Sequence, residues 1–261
     1  MKKSLLMTTA LVALVSASNA RAEDWTVSAP ESIENQILNK DNVTIQAGGE
    51  IAISGDTESG IIAKSFTMEG GKLTATSVNG SADTGIFVKS DSSDINLNGG
   101  TIELTNSRIY KGNDTETSGD INISGGDITL NKDAYIEMRK ENSGNVNITG
   151  GNLLLNENSA LLINSNNDQE VEGNASKVII NGEGAQITAT GNNRITGNID
   201  FTNGTLTVSD NASLTSGDIT MSGEDAQIDL SGQLNTNISG NGNISFQNSA
   251  SNISGNVSGS H

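Results

Sequence analysis

The side chains able to do chemistry are few in kind and unevenly spread. The chain carries 31 acidic residues, 14 basic ones, one histidine and no cysteine. Without cysteine there is no thiol nucleophile and no zinc site of the cysteine type. The single histidine is His261, the last residue, which is poorly placed for catalysis or for metal binding. Beyond the first 22 residues the only arginines are Arg108, Arg139 and Arg194. The densest charged run is Glu137-Met138-Arg139-Lys140-Glu141, which reads as a solvated corner. Glycoside hydrolysis needs two carboxylates placed across a sugar bond, and no Asp-Asp pair or recurring acid beside an aromatic platform supplies one. Gly125-Gly126-Asp127 and Gly119-Asp120 suggest calcium between coils, yet the nonapeptide that such sites use, G-G-x-G-x-D-x-apolar-x, is absent. If the copies described below are aligned, Asp127 meets Glu50, Lys72, Thr101 and Asn152, so no carboxylate ladder forms there. The expectation is therefore a chain with no catalytic residues, no cofactor-binding residues and no metal ligands: not an enzyme.

The elements around these residues repeat. Ile121-Asn-Ile123-Ser-Gly125-Gly126-Asp-Ile128-Thr-Leu130 is two short alternating segments joined by a glycine pair. Ile123 and Ile128 are separated by an odd number of residues, so one straight strand would send them to opposite faces. The glycines must turn the chain, and glycine tolerates the positive φ of such a corner. Copies start at 43, 66, 95, 121, 146, 178, 199, 219 and 244, a period near 25 with looser corners after residue 155. A third apolar segment follows most copies: Gly60-Ala63, Gly85-Val88, Arg108-Tyr110, Ala134-Met138 and Ala160-Ile163. Three strands per coil and about nine coils make an all-β, single-stranded parallel β-helix. At ~4.8 Å per coil it would be a rod of roughly 40–45 Å.

Composition agrees. The chain is 33% apolar but only 3% aromatic, with 30 glycines and one proline, which suits stacked aliphatic layers better than a single globular core. Polar stretches at 56–59, 113–118 and 164–176 read as insertions at corners. Asn98, Asn122, Asn147 and Asn181 occupy related positions where amide ladders could form. The Thr-x-Thr pairs 74/76, 188/190 and 205/207 are too scattered for a flat ice-binding array.

Residues 1–22 read as a signal peptide: Lys2-Lys3, an apolar run from Leu5 to Val15, and Ala20-Arg21-Ala22 as cleavage site. The apolar run is too short to span a bilayer. Residues 23–42 hold the only Trp and Pro and no Gly; they read as an N-terminal cap, with Ser32–Leu38 as a helical turn, or as a first irregular strand pair. Residues 43–261 are the repeats. Removing the leader leaves 11 basic against 31 acidic groups, a surface that repels nucleic acid and anionic membrane.

The leader, the Trp25-Thr26-Val27 start and the iterated apolar-x-apolar-x-x-Gly-Gly-x-apolar units of 43–155 resemble the passenger region of bacterial autotransporter proteins. The later copies of about 20 residues also resemble filamentous-haemagglutinin repeats. The autotransporter resemblance covers the whole mature chain and implies a right-handed β-helix exported by a Sec-type route, secreted or displayed at the cell surface. It implies adhesion or a structural stalk, with partners among surface molecules or glycans of host or neighbouring cells, and self-association through solenoid ends. The family's C-terminal β-barrel translocator, with its dozen aromatic-girdled strands, is not in this sequence. That leaves a truncated passenger, export by a separate protein, or a periplasmic product as readings. The runner-up function is a β-helix that binds or cleaves extracellular polysaccharide.

Overall fold

The computed structural model describes residues 23–55, 57–78, 84–88, 93–112, 118–139, 144–166, 169–170 and 176–261. The signal peptide expected at 1–22 lies outside the described residues. All regular structure is strand. Apart from Gln169–Glu170, strands fall on three faces and pair in parallel with their equivalents in the adjacent coils. The first face runs from Trp25–Val27 through Ile121–Ile123 to Val257–Ser260. The second runs from Pro30–Glu34 through Asp127–Asn131 to Asn243–Phe246. The third runs from Ile37–Asn39 through Tyr135–Arg139 to Asn252–Ser254. The chain is thus a parallel β-solenoid of about nine turns at a spacing near 23 residues.

Alternation along each strand sends every second side chain inward, where like stacks on like. Val43, Phe66, Ile95, Ile121 and Val146 form one inward column of the first face. Ile61, Ile86, Ile109, Ile136 and Leu161 form another on the third. Every member of both is at most 1% exposed, which stabilises by ~1.5–3 kcal/mol per side chain. The expected alignment of Asp127 holds throughout: it is in register with Thr101 and Asn152, and that column continues to Lys72 and Glu50.

The glycine pairs do two different jobs at the corner between first and second faces. Gly126 has φ +84°, a region that other residues enter only with strain. Gly125 has an ordinary φ, but a Cβ there would lie 2.6 Å from the Asn98 carbonyl oxygen of the preceding coil. After residue 155 this corner changes. Val178–Ala189, Ile199–Val208 and Ile219–Leu230 run as long strands across it, with register shifts at 180/181 and 181/186 and at 201/203.

Three expectations need correction. Ser32–Leu38 is no helical turn, and the strand reading of 23–42 holds with three strands rather than an irregular pair. Trp25–Val27, Pro30–Glu34 and Ile37–Asn39 form a complete coil in register with the next. Asn35, at φ 51°, turns the chain between Ile33 and Ile37 and so puts them on different faces. Ile244 does not begin a copy: it pairs with Ile228 on the second face, and the copy begins at Ile238, in register with Ile219. The corner there, Gly240-Asn241-Gly242, is too short to read as a copy boundary. Finally, 164–176 is not wholly a corner. Ala160–Asn166 is one strand, and Gln169–Glu170 folds back antiparallel onto it. Residues 56, 113–117, 167–168 and 171–175 lie outside the described residues.

Amide and carboxylate ladders tie the coils together from outside. Asn122 donates to Asn96 at 3.0 Å, and Asn147 donates to Asn122 at 2.9 Å. The ladder is therefore 96–122–147. Asn98 belongs to the neighbouring column, where it accepts from Ser124 at 2.9 Å. A longer ladder runs along the corner between third and first faces, built from the residue just before each first-face apolar start. Asn42 donates to Asp24, and Ser65 donates to Asn42. The Asp120 backbone N–H donates to Asp94, that of Asn145 to Asp120, and that of Lys177 to Asn145, at 2.8–3.1 Å. Asn198, Asp218, Asn237 and Asn256 continue the pattern. Asp120 also accepts from the Asn147 amide at 3.0 Å. Asp120→Ala removes both acceptors from a half-buried corner and should cost ~1–3 kcal/mol. Asp120→Asn, which keeps one acceptor, should cost less than half of that; urea denaturation of the three proteins measures it.

Candidate functional site

The third face between residues 84 and 163 breaks the rule of one face in, one face out. Thr84–Val88 and Arg108–Lys111 are buried along their whole length, and so is Tyr135–Arg139 except its last residue. With Ile86, Ile109, Ile136 and Leu161 pointing inward, alternation places Phe87, Tyr110, Glu137 and Leu162 outward in one column. Arg108, Tyr135 and Ala160 point outward in the next. Lys111 is two residues from Ile109 and in register with Val88 and Met138, so it lies in an inward, apolar column and is fully buried.

The three arginines beyond residue 22, Arg108, Arg139 and Arg194, all lie on this face. Arg194 is in register with Ala160, further along the Arg108 column. Both tyrosines of the chain are here too. The Arg108 Nη1 donates to the Tyr135 hydroxyl at 3.1 Å and stands 3.8 Å from the Glu137 Oε2. Its guanidinium lies 5.0 Å from the centre of the Tyr110 ring and 5.7 Å from that of Phe87. Arg139 stacks on Tyr110 at 4.4 Å, and Phe87 and Tyr110 are 5.0 Å apart, centre to centre. Tyr135, Ala160 and Leu162 form a small apolar cluster outside the main core. Arg108 and Glu137 are 8% and 0% exposed, respectively. A charge so far from water is tolerable only when paired and hydrogen-bonded, and stacking on aromatic faces adds ~0.5–2 kcal/mol for each guanidinium. Arg108, Tyr110, Lys111, Tyr135, Glu137 and Arg139 all have further partners, so the cluster is a knot of mutual contacts.

Glu137–Glu141 is therefore not a solvated corner at its start. Glu137 and Met138 are completely buried, because the strand continues through Arg139 against in-register neighbours on both sides. Lys140 and Glu141 lie outside the described residues. The cluster could have been suspected from the sequence, since Phe87, Arg108, Tyr110, Tyr135 and Glu137 all sit in third-strand segments where an exposed face would carry small polar residues.

The other candidates stay dispersed. Asp127 is exposed and accepts from Asn152 at 2.7 Å. Asp120 is spent on the corner ladder. His261 is exposed, with Nε2 3.0 Å from the Ser258 carbonyl oxygen. Thr188 is in register with Thr207, while Thr205 belongs to the Gln186 column, so the threonine pairs form no single array. Among the described residues, no three His, Cys, Asp or Glu side chains are grouped to hold a metal ion. Among them, too, no helix is long and apolar enough to cross a membrane. A shallow polar groove lined by Glu183, Asn203, Gly204, Thr205 and Asp225 follows the bulged corner of the later coils. No protein-family model, curated protein or solved structure matches the chain.

Proposed function

We propose that the protein is an exported, non-enzymatic β-solenoid that acts by extended contact, as an adhesive or stalk element of the autotransporter-passenger kind. The observation that carries this reading is the use the chain makes of its polar side chains. The Asp and Asn residues of the corner ladder accept backbone N–H groups from the next coil, and the first-face asparagines bond one another. These groups hold a scaffold rather than converge on a substrate. The test has two arms. Residues 1–22 fused to a reporter active only after export should deliver it out of a bacterial cytoplasm. The chain from residue 23, labelled, should bind intact cells or an immobilised glycan panel saturably. Failure of the second arm on all surfaces overturns the contact reading even where export succeeds.

The second reading, binding or cleavage of an extracellular polysaccharide, draws on the third-face knot, which combines aromatic rings, guanidinium groups and a carboxylate. Among its described residues Glu137 is the only carboxylate, whereas hydrolysis needs two. The expected result of incubating the protein with acidic and neutral glycans is no turnover. Turnover abolished by Glu137→Gln in a protein that keeps its β spectrum would reverse the ranking.

A further inference from the structure

The corner between the second and third faces changes length from coil to coil in the later part of the rod. Residues 190–191 and 231–232 turn it in two residues, whereas 209–212 and 247–251 take four and five. The short corner at 231–232 therefore lies recessed between two longer ones. Gly232 forms its floor: it is buried, and a Cβ there would lie 2.3 Å from the Ala212 carbonyl oxygen. Asn248 braces the two walls, donating to the Asp210 Oδ1 at 2.5 Å and to the Ser231 carbonyl oxygen at 3.0 Å. The recess opens into a groove of about 290 Å³, to which Asn192, Asn211, Ser213, Ser231, Gln233 and Ala250 contribute.

The side chains of this groove are uncharged and unengaged. Amides of the two coil ladders bond their neighbours. Those of Asn192, Asn211 and Gln233, like the Ser231 hydroxyl, make no side-chain hydrogen bond among the described residues. Asn192, Ser213 and Gln233 stand in register on three successive coils. Amide, hydroxyl and amide thus follow one another at ~4.8 Å along the rod. Each amide holds a donor and an acceptor side by side. The neighbouring hydroxyls of a sugar ring match that arrangement, since each of them both donates and accepts. A ligand bearing carboxylates is disfavoured, because beyond residue 22 the chain carries 31 acidic groups against 11 basic ones, the 14 less Lys2, Lys3 and Arg21.

We infer that this groove binds one or two sugar residues of a neutral glycan, laid along the rod axis. The inference rests on the contact reading above and gives that contact a place and a charge class; the third-face knot takes no part in it. A cavity of this size lies at the lower limit of small-molecule sites, which excludes a folded partner. None of its lining residues is aromatic, so the sugar meets hydrogen-bonding groups without a stacking platform. Such a site holds its ligand with a Kd of about 1 mM. Adhesion then comes from many rods engaging one surface together.

Nuclear magnetic resonance of the chain from residue 23, with its side-chain amides assigned, tests this. The probes are neutral gluco-, manno- and galacto-tetrasaccharides, and tetragalacturonate as the acidic counterpart. Titrated to about 10 mM, some ten times the expected constant, a neutral probe should shift the Asn192 and Gln233 amide signals saturably, and tetragalacturonate should not. Asn192→Ala with Gln233→Ala changes two exposed positions. It should keep the circular dichroism spectrum of the parent and raise the Kd at least about tenfold. Asn211 is left in place, because its φ of 59° suits Asn. No shift with any neutral probe, shifts confined to other signals, tetragalacturonate binding as tightly, or an unchanged Kd in the double variant would each overturn the groove. If the labelled chain still binds cells or the glycan panel saturably, the contact reading stands without it; if that binding is lost too, both fall.

Discussion

Glu137→Leu should be the most damaging single substitution in the knot, costing ~3–5 kcal/mol, because it takes a fully buried carboxylate away from the 8% exposed Arg108 guanidinium 3.8 Å from it. Arg108→Met should cost a similar amount for the converse reason. The double variant should be more stable than the sum of the two losses implies by at least ~1.5 kcal/mol, since neighbours in direct contact couple and an apolar replacement of both charges removes their desolvation. Apolar groups already occur in these columns: Leu162 follows Glu137, and Ala160 lies two coils on from Arg108. Denaturant midpoints of the four proteins of this cycle decide it. Additive losses would mean that the two side chains act through other partners and that the 3.8 Å pair contributes nothing of its own.

The second large effect is expected at Gly126→Ala, and its size comes from two independent terms. Alanine at φ +84° is strained by ~1–2 kcal/mol. Its Cβ would also lie 2.6 Å from the Gly100 carbonyl oxygen. That oxygen accepts the backbone N–H of Asp127 at 2.9 Å, so it cannot retreat without loosening the ladder. Overpacking of this kind costs a further ~1–3 kcal/mol. Asp127→Ala, one residue on, should change stability by no more than ~0.5 kcal/mol, since an exposed side chain loses a single amide contact. A thermal melt of the two variants separates them. A small effect at Gly126 would show that the corner relaxes from coil to coil, and the repeat would then not depend on its glycine pair.

The same physics explains what could be read in advance. Ile121–Leu130 placed its own corner, its inward residues and the column of Asp127 correctly, because a period of two and an odd-numbered break leave one solution. Where the glycine pair gives way to long bulged strands, alternation alone no longer marks which strand opens a coil, and Ile244 lies one strand beyond the copy's start at Ile238. Around Ile33 and Ile37 a spacing of four looked helical, although a single Asn at positive φ makes it a corner between strands. The corner ladder was visible as a run of Asp, Asn and Ser just before each copy, at positions 24, 42, 65, 94, 120 and 145. A polar residue beside a strand start carries no sign of what it will bond.

By itself the sequence determined the coil. Alternation fixes which residues face inward, the odd break fixes where the chain turns, and iteration fixes that equivalent residues stack. These are local rules, acting within a few residues of each position. Only the tertiary structure decided what becomes of the outward side. Whether Glu137 meets water or Arg108 depends on coils some 20 or more residues away in the chain and on what covers their faces. An outward charged residue has the same local pattern in either case, and the difference is one of desolvation and pairing, which arise only when the coils are stacked.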